Sequence, residues 1–302
     1  MKRVAITGAT GFVGSHLLDA ALKAGHEVRA LTRRAQQARD GVTWVDGSLS
    51  DRESLRELVD PCDAMIHVAG VLNARDEATF HAGNVEGTLN VLAASTAAGI
   101  RRFVHVSSLA AREPGLSMYG ASKAKAEKLV ERSGLDWAIV RPPAVYGPGD
   151  RETLELFAMA KRGVVLLPPR GRLSVIHVGD LAQLLLALAN ADAPSRIVVE
   201  PDDGKQGGWS HNEFAQALGK AVGRSGIRLS MPSPLVRFGA VLDQLIRRDG
   251  AKLTPDRAAY FCHPDWVSNS DQLPPATLWK PQIPTEDGLA ETARWYRRAG
   301  WL

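Results

Sequence analysis

The stretch that decides the fold is Arg3-Val-Ala-Ile-Thr7-Gly8-Ala9-Thr10-Gly11-Phe12-Val13-Gly14. A short β-branched run leads directly into three glycines spaced three residues apart, and a helical pattern begins at residue 12. In such a unit the first glycine permits a tight turn, the second lets a pyrophosphate approach the backbone, and the third lets helix and strand pack closely. Free amides at the helix start stabilise phosphate groups. We therefore predict a dinucleotide site, with contacts from Gly8, Thr10, Gly11, Phe12 and Val13.

Working outward from this turn, short apolar runs alternate with longer helical patterns over the first 140 residues. Strands are predicted at Arg3–Thr7, Glu27–Leu31, Val42–Val45, Ala64–Val68, Phe103–Val106 and Trp137–Val140. Helices are predicted near 12–24, 51–60, 76–98 and 117–133, the second with Ser50 and Glu53 in capping-box spacing. Such alternation implies parallel strands joined by right-handed crossovers. The predicted fold class is α/β, a doubly wound Rossmann-type parallel sheet.

The pattern becomes irregular after Arg141, where prolines and glycines cluster between shorter helical stretches. We predict a dinucleotide-binding domain over residues 1–165, with 173–192 returning to it, and a smaller C-terminal substrate lobe over 166–302. In that lobe, Leu235–Ile246 has apolar residues at helical spacing, which suits either the wall of an apolar pocket or ordinary packing.

Composition excludes several classes of protein. The chain has 302 residues, 45% of them hydrophobic, and a net charge of +4 without a block of like charges, which argues against nucleic-acid or polybasic membrane binding. The two cysteines, Cys62 and Cys262, form no zinc-type cluster, so no metal is expected. A signal peptide and an apolar stretch of about 20 residues are both missing. We expect a cytoplasmic protein without a membrane partner.

A possible catalytic pair is Tyr119-Gly-Ala-Ser-Lys123 on a predicted helix, where the i, i+4 spacing puts phenol and ammonium on one face. A free phenol, with a pKa of about 10, is a poor base at neutral pH, and a nearby cation lowers that pKa. Val106-Ser107-Ser108, at the end of the fifth strand and shortly before this helix, supplies a hydroxyl that can bind a substrate oxygen.

With the Gly-x-x-Gly-x-x-Gly turn, these motifs make the chain resemble the short-chain dehydrogenase/reductase family in its extended and atypical, epimerase/dehydratase-like form. The resemblance covers roughly residues 1–185 motif by motif and the remainder in general layout. It implies that Ser108, Tyr119 and Lys123 are catalytic, that Ser107 lies beside the cofactor, and that Tyr119 and Lys123 also contact it.

The resemblance also implies further contacts with the cofactor. The segment Gly47-Ser48-Leu49-Ser50-Asp51 stands where relatives hold the adenine, with Ser48 in place of their acid. The remaining implied contacts are Ala69 and Gly70 at the ribose and pyrophosphate, Asn84 behind the nicotinamide, and the backbone of Pro142, Ala144 and Val145 at the carboxamide.

The choice of dinucleotide depends on the end of the second strand. An NAD site usually places a carboxylate there for the ribose 2′-hydroxyl. This chain has Thr32 followed by Arg33 and Arg34, and a guanidinium suits a 2′-phosphate. Arg33 also matches the arginine of NADP-using relatives. We predict NADP, with NAD as the second choice.

Three functions are compatible with these residues. The first is an NAD(P)-dependent reductase or dehydrogenase acting on a small-molecule carbonyl or alcohol. The second is a nucleotide-sugar epimerase or dehydratase with bound NAD, although Leu109-Ala110-Ala111 stands where dehydratases carry an acidic pair. The third is a non-catalytic dinucleotide sensor or assembly subunit, which would not need the Ser–Tyr–Lys set. We favour the first function. We also expect that the enzyme can form a homodimer.

Overall fold

The structure, a computed structural model, describes residues 2–247 and 254–302. The chain divides into two compact units. One contains the residues up to Pro142 together with Val178–Pro201 and Asp271–Lys280. The other contains Pro143–His177, Asp202–Ser270 and Pro281–Leu302.

The first unit is built on a sheet of seven parallel strands. These strands are β1 (Arg3–Thr7), β2 (Glu27–Thr32), β3 (Val42–Asp46), β4 (Ala64–His67), β5 (Arg102–Val106), β6 (Asp136–Val140) and β11 (Ile197–Val199). Their order in the sheet is β11-β6-β5-β4-β1-β2-β3. The order reverses between β1 and β4, so the crevice where such sheets bind ligands lies at the carboxyl ends of these two strands. The predicted Rossmann-type sheet is confirmed.

Helices connect the strands of this unit. They are α1 (Phe12–Lys23), α2 (Arg52–Val59), α3 (Glu77–Phe80), α4 (Gly87–Ala97), α5 (Met118–Glu131) and α7 (Val178–Leu188). A π-helical turn, His81–Glu86, joins α3 to α4, and a 3₁₀ turn, Leu109–Arg112, follows β5. Buried apolar side chains such as Met65, Phe103 and Ile139 form a core of this unit.

The start of α2 differs from the expected capping box. Asp51, not Ser50, is the N-cap residue, and its Oδ1 accepts hydrogen bonds from the amides of Glu53 at 3.0 Å and Ser54 at 3.4 Å. The Ser50 hydroxyl instead lies 2.9 Å from the Ser48 hydroxyl. The helix starts one residue later than predicted because the carboxylate reaches two amides at once.

The second unit contains three small sheets and five helices within the described residues. Its strands are β7 (Ala144–Tyr146), β8 (Val164–Leu167), β9 (Arg172–Leu173), β10 (Val175–His177), β12 (Trp209–Ser210), β13 (Ile227–Ser230) and β14 (Asp265–Trp266). They form the sheets β10-β7, β12-β9-β14 and β13-β8. The helices are α6 (Leu154–Arg162), α8 (His211–Val222), α9 (Ser233–Arg247), α10 (Pro255–Phe261) and α11 (Thr285–Arg298).

Residues 143–165, which the sequence analysis grouped with the first domain, lie in the second unit. The physical reason is that β7 pairs with β10 instead of joining the seven-stranded sheet, and that α6 packs on α8 around Phe157. The chain returns to the first unit at Val178 and stays there to Pro201. The roles of the two units in binding dinucleotide and substrate stay predictions.

Candidate active site

The glycine turn between β1 and α1 has no room for side chains. Gly8 has a φ of +75°, and the Gly11 amide donates to the Gly8 carbonyl oxygen at 2.9 Å. A Cβ atom on Gly14 would lie 1.9 Å from that oxygen, and one on Gly8 would lie 2.8 Å from the Ala69 nitrogen. The backbones of β1, α1 and the loop after β4 therefore approach one another as closely as glycine allows.

Helix α1 begins without a side-chain cap. Its N-cap residue is Gly11, and within the described chain no side chain caps it and no acidic residue occupies its first turn. In contrast, α2 is capped by Asp51 and α5 by Ser117. Free N–H groups and the positive end of the helix dipole favour an anion. The turn therefore fits a dinucleotide pyrophosphate, with the amides of Thr10, Phe12 and Val13 as expected donors.

We expect Gly14→Ala to weaken dinucleotide binding and to lower thermal stability. The added methyl would overlap the Gly8 carbonyl, and moving α1 away costs about 1–3 kcal/mol. Gly239→Ala on α9 is the matched control, because a Cβ there meets no atom within 4 Å and alanine favours a helix. Thermal denaturation and calorimetric titration with NADPH and NADH measure both effects. Equal behaviour of the two variants would contradict this close packing.

A directed chain of hydrogen bonds joins the ends of β1 and β4. The Ala69 amide donates to Thr7 Oγ1 at 3.3 Å, and Thr7 Oγ1 lies 2.7 Å from His67 Nδ1. His67 Nε2 lies 3.0 Å from Thr88 Oγ1, which donates to the Asn84 carbonyl at 2.6 Å. Thr88 therefore accepts from Nε2–H, and Nδ1 accepts from Thr7. Because burial lowers the pKa of His67 to about 3, the ring stays neutral and keeps this direction.

Asn84 holds the loop after β4 against α5. It lies buried in the π-helical turn, a feature that often marks functional sites. Its Oδ1 accepts from the Val71 amide at 2.6 Å, while Nδ2 donates to the Val71 carbonyl at 3.0 Å and to Ser122 Oγ at 2.9 Å. Ser122 Oγ then donates to the Tyr119 carbonyl at 2.7 Å. Protein groups thus engage the whole amide, and its contact with a nicotinamide stays a prediction.

Helix α5 carries Tyr119 and Lys123 one turn apart. Lys123 is buried, and its Nζ donates to the Val106 carbonyl oxygen at 2.7 Å, at the end of β5. Burial lowers the pKa of Lys123 to about 8, and the carboxylate of Glu127, one turn further on, opposes that change. A Cβ on Gly70 would lie 3.7 Å from Lys123 Nζ, so the loop after β4 also comes close to this cation.

Ser108 starts the 3₁₀ turn after β5. Its Oγ accepts from the Ala110 amide at 3.2 Å. The first turn of α5 packs directly on this turn, because a Cβ on Gly120 would lie 2.5 Å from the Ala110 carbonyl oxygen. Ser117 caps α5 by accepting from the Gly120 amide at 3.0 Å. These contacts hold Tyr119 next to the turn that begins at Ser108.

Four charged side chains with little exposure lie beyond the ends of β5, β6 and β11. Arg141 binds Glu127 through two hydrogen bonds, Nε–Oε1 at 2.9 Å and Nη2–Oε2 at 2.7 Å. Glu200 accepts two further hydrogen bonds, at Oε1 from Arg141 Nη1 at 3.3 Å and at Oε2 from Arg112 Nη1 at 3.1 Å. Ser107 Oγ donates to Glu127 Oε1 at 2.5 Å. The hydroxyl expected beside the cofactor therefore also belongs to this network.

The sequence analysis missed this charged network. Glu127 follows Lys123 by four residues on the same face of α5, and this spacing was the available signal. Arg141 and Glu200 are 59 residues apart and become neighbours because β11 pairs with β6. Glu200 is fully buried, which the sequence around it does not indicate.

The loop after β2 is where the sequence predicts the 2′-phosphate end of the site. Thr32 is buried, and its hydroxyl donates to the Arg34 carbonyl oxygen at 2.6 Å. This hydrogen bond stabilises the turn that follows β2. The next residue, Arg33, is one of the residues that line a surface cleft; the others are Ala35, Asp46, Gly47, Ser48 and Asp51. Asp46, the register partner of Thr32, was missed by the sequence analysis and places an acceptor in this cleft.

The other expected contacts fall on different parts of the structure. Asn90 Nδ2 donates to the Leu49 carbonyl at 2.9 Å, which ties the loop after β3 to α4. Pro142 closes the first segment of the first unit, whereas Ala144 and Val145 lie on β7 in the second unit. Their contacts with a cofactor stay predictions.

Two further features concern metals and membranes. In residues 2–247 and 254–302, the structure brings no three His, Cys, Asp or Glu side chains together where they could hold a metal ion. None of the helices in this described part combines the length and apolar character that crossing a bilayer requires.

Comparison with known proteins places the chain among nicotinamide-dependent enzymes. The model of the NAD dependent epimerase/dehydratase family matches residues 4–199. The ceramide reductase of Caulobacter vibrioides (strain NA1000 / CB15N) is 38% identical over 99% of this chain and 96% of its own length. The 4-hydroxy-2-methyl-3-oxo-4-farnesyl-3,4-dihydroquinoline-1-oxide ketoreductase of Stigmatella aurantiaca is 36% identical over 49% of this chain and 52% of its own.

Solved structures show the same fold. MoeE5 in complex with UDP-glucose and NAD superposes with a TM-score of 0.73 and covers 99% of both chains at 22% identity. The family model spans residues 4–199, and the ceramide reductase aligns along nearly the whole chain. The chain belongs to the NAD dependent epimerase/dehydratase family and is an NAD(P)-dependent oxidoreductase acting on CH–OH or C=O groups.

Proposed function

We propose that this chain uses NADPH to reduce a ketone carried on a long apolar chain. The observation that carries the reaction type is the buried ammonium of Lys123, held at the end of β5 one helical turn from Tyr119. The substrate class is supported by the names of the two relatives. One is a ceramide reductase, and the other is a ketoreductase that acts on a ring carrying a farnesyl chain. The first of them matches along the whole chain.

In the proposed reaction, the protein's residues manage the proton while a bound nicotinamide dinucleotide supplies the hydride. Tyr119 donates its phenolic proton to the carbonyl oxygen, so that hydride and proton together convert the ketone to an alcohol. Lys123, as an ammonium, stabilises the phenolate that remains. The Ser108 hydroxyl donates a hydrogen bond to the same oxygen and orients the carbonyl. Asn84, through Ser122, keeps α5 in place.

The function is tested by following the absorbance of the reduced nicotinamide. The purified protein is given NADPH and either a long-chain 3-oxo ceramide in detergent, a short-chain water-soluble ketone, or UDP-glucose. We expect NADPH to be consumed with the ketones, and faster with the long-chain one. Interconversion of the UDP-sugar without net consumption of NADPH, together with inert ketones, would overturn the proposal in favour of an epimerase.

The preference for NADPH rests on Arg33, exposed in the cleft next to the buried Thr32. We expect Arg33→Ala to raise the Kd for NADPH by about 10–100-fold, because a charge-assisted hydrogen bond to a phosphate contributes about 1.5–3 kcal/mol. The Kd for NADH should change little. Arg101→Ala, which removes a guanidinium that is 82% exposed elsewhere in the first unit, is the control. A wild-type protein that binds NADH more tightly would contradict this assignment.

A further inference from the structure

Helix α9 exposes its large apolar side chains and buries its small ones. Val236 and Ala240 pack against Ala258 of α10. The larger apolar residues point outward with exposed fractions of 40–78%; they are Leu235, Phe238, Val241, Leu242, Leu245 and Ile246. At 3.6 residues per turn, these six side chains fall within an arc of about 140°. They therefore form one continuous apolar face, the α9 face.

The exposed fractions of 40–78% show that the α9 face is not packed within the described chain, which was one of the two roles that its spacing allowed. An exposed stripe of this size marks an interaction site. The β13-β8 sheet, whose strand β13 precedes α9 in the chain, adds to the apolar surface of this unit. Val164 and Leu166 lie opposite Ile227 and Leu229 in register, and all four side chains are exposed by 41–63%.

The segment that contains α9 carries most of the net positive charge of the chain. Residues 224–247 contain four arginines and one aspartate, a net charge of +3 in a chain whose total is +4. Asp243 pairs with Arg247 at 3.2 Å, so the net positive charge of this segment lies on Arg224, Arg228 and Arg237. An apolar helical face accompanied by arginines suits the interface of an anionic bilayer, where basic side chains are attracted to lipid phosphates. A second copy of the same surface would instead oppose like charges.

We propose that α9 lies in the interface of an anionic lipid bilayer, with its apolar side chains in the acyl boundary and Arg237, at the edge of the α9 face, at lipid phosphates. This inference rests on the proposed function, because a ketone on a long apolar chain resides in a bilayer. It differs from the prediction that the protein has no membrane partner. That prediction was based on the lack of a block of like charges and of an apolar stretch long enough to span a bilayer. An interfacial helix needs neither a charge block nor a span.

The proposal is tested by floating the full-length protein with vesicles, without substrate or cofactor. We expect binding to vesicles of phosphatidylcholine with phosphatidylglycerol, little binding to phosphatidylcholine alone, and release by salt. The double variant Leu245→Gln/Ile246→Gln should reduce the bound fraction at least about tenfold, because two apolar side chains no longer insert. Leu72→Gln, which changes a leucine 61% exposed in the first unit, is the matched control and should bind as wild type.

Several outcomes would overturn the proposal. These are no flotation of the wild-type protein with anionic vesicles, equal flotation of the double variant, or a dimer in sedimentation equilibrium that the double variant dissolves. The replaced side chains are exposed, so the double variant should keep its circular dichroism spectrum and its turnover of the short-chain ketone. Failure of the proposed reductase function would appear in the NADPH assay, whereas failure of membrane docking appears in flotation alone.

Discussion

Tyr119→Phe is expected to lower kcat by about 10²–10⁴-fold while the Kd for NADPH stays within about twofold of wild type. The substitution removes the hydroxyl that donates a proton and leaves the ring, which lies 6.1 Å from Phe80 between ring centres. Lys123 keeps its hydrogen bond to the Val106 carbonyl, because that contact involves no atom of Tyr119. The loss should therefore be confined to the chemical step.

Single-turnover kinetics with NADPH and a ketone, alongside calorimetric titration with NADPH, separates chemistry from binding. Tyr260→Phe is the control, because it removes a phenol hydroxyl elsewhere, on α10. The ring of Tyr260 stacks on that of Trp266 with centres 4.5 Å apart, and this variant should leave turnover unchanged. If Tyr119→Phe retained wild-type turnover, another group would have to supply the proton, and the role assigned to Tyr119 would be abandoned.

Arg141→Met is expected to reduce the free energy of unfolding by about 3–5 kcal/mol, because it leaves the buried carboxylate of Glu127 without its guanidinium partner. Glu127 would lose both of its hydrogen bonds from Arg141, and the fully buried Glu200 would keep Arg112 as its remaining guanidinium partner in the described network. Methionine retains most of the apolar length of the arginine side chain, so the effect reports the lost charge.

Urea denaturation followed by circular dichroism measures the change. Arg101→Met is the matched control, since Arg101 and Asp136 form an ion pair of 3.3 Å with side chains 82% and 35% exposed. Exposed pairs of this kind contribute about 0–1 kcal/mol. A cost for Arg141→Met no larger than that for Arg101→Met would show that the buried network contributes little to stability.

Much of the first unit follows from local signals. The glycine turn predicts where β1 ends and α1 begins, because positive φ at Gly8 and the contact of Gly14 with Gly8 require glycine. Alternating strand and helix patterns then predict a parallel sheet, and the observed strand order agrees. The second unit was harder to predict, since its two-residue strands β9, β12 and β14 are too short to leave a pattern.

The candidate site shows the same division. The Tyr119–Lys123 spacing is visible along one helix, but the pairing of Arg141 with Glu127 and Glu200 depends on β6 and β11 lying side by side. The hydrogen-bond chain through His67 depends on β1 and β4 pairing across the sheet. Sequence neighbours do not reveal such partners, because they meet only after the strands assemble.

The sequence by itself therefore determined the dinucleotide turn, the parallel sheet and the spacing of phenol and ammonium, because each depends on residues a few positions apart. Tertiary structure decided which carboxylates neutralise the half-buried Arg141, which tautomer His67 adopts, and which side of α9 faces outward. Amphipathic spacing specifies that a helix has an apolar face, but the direction of that face is set by what the rest of the chain packs against.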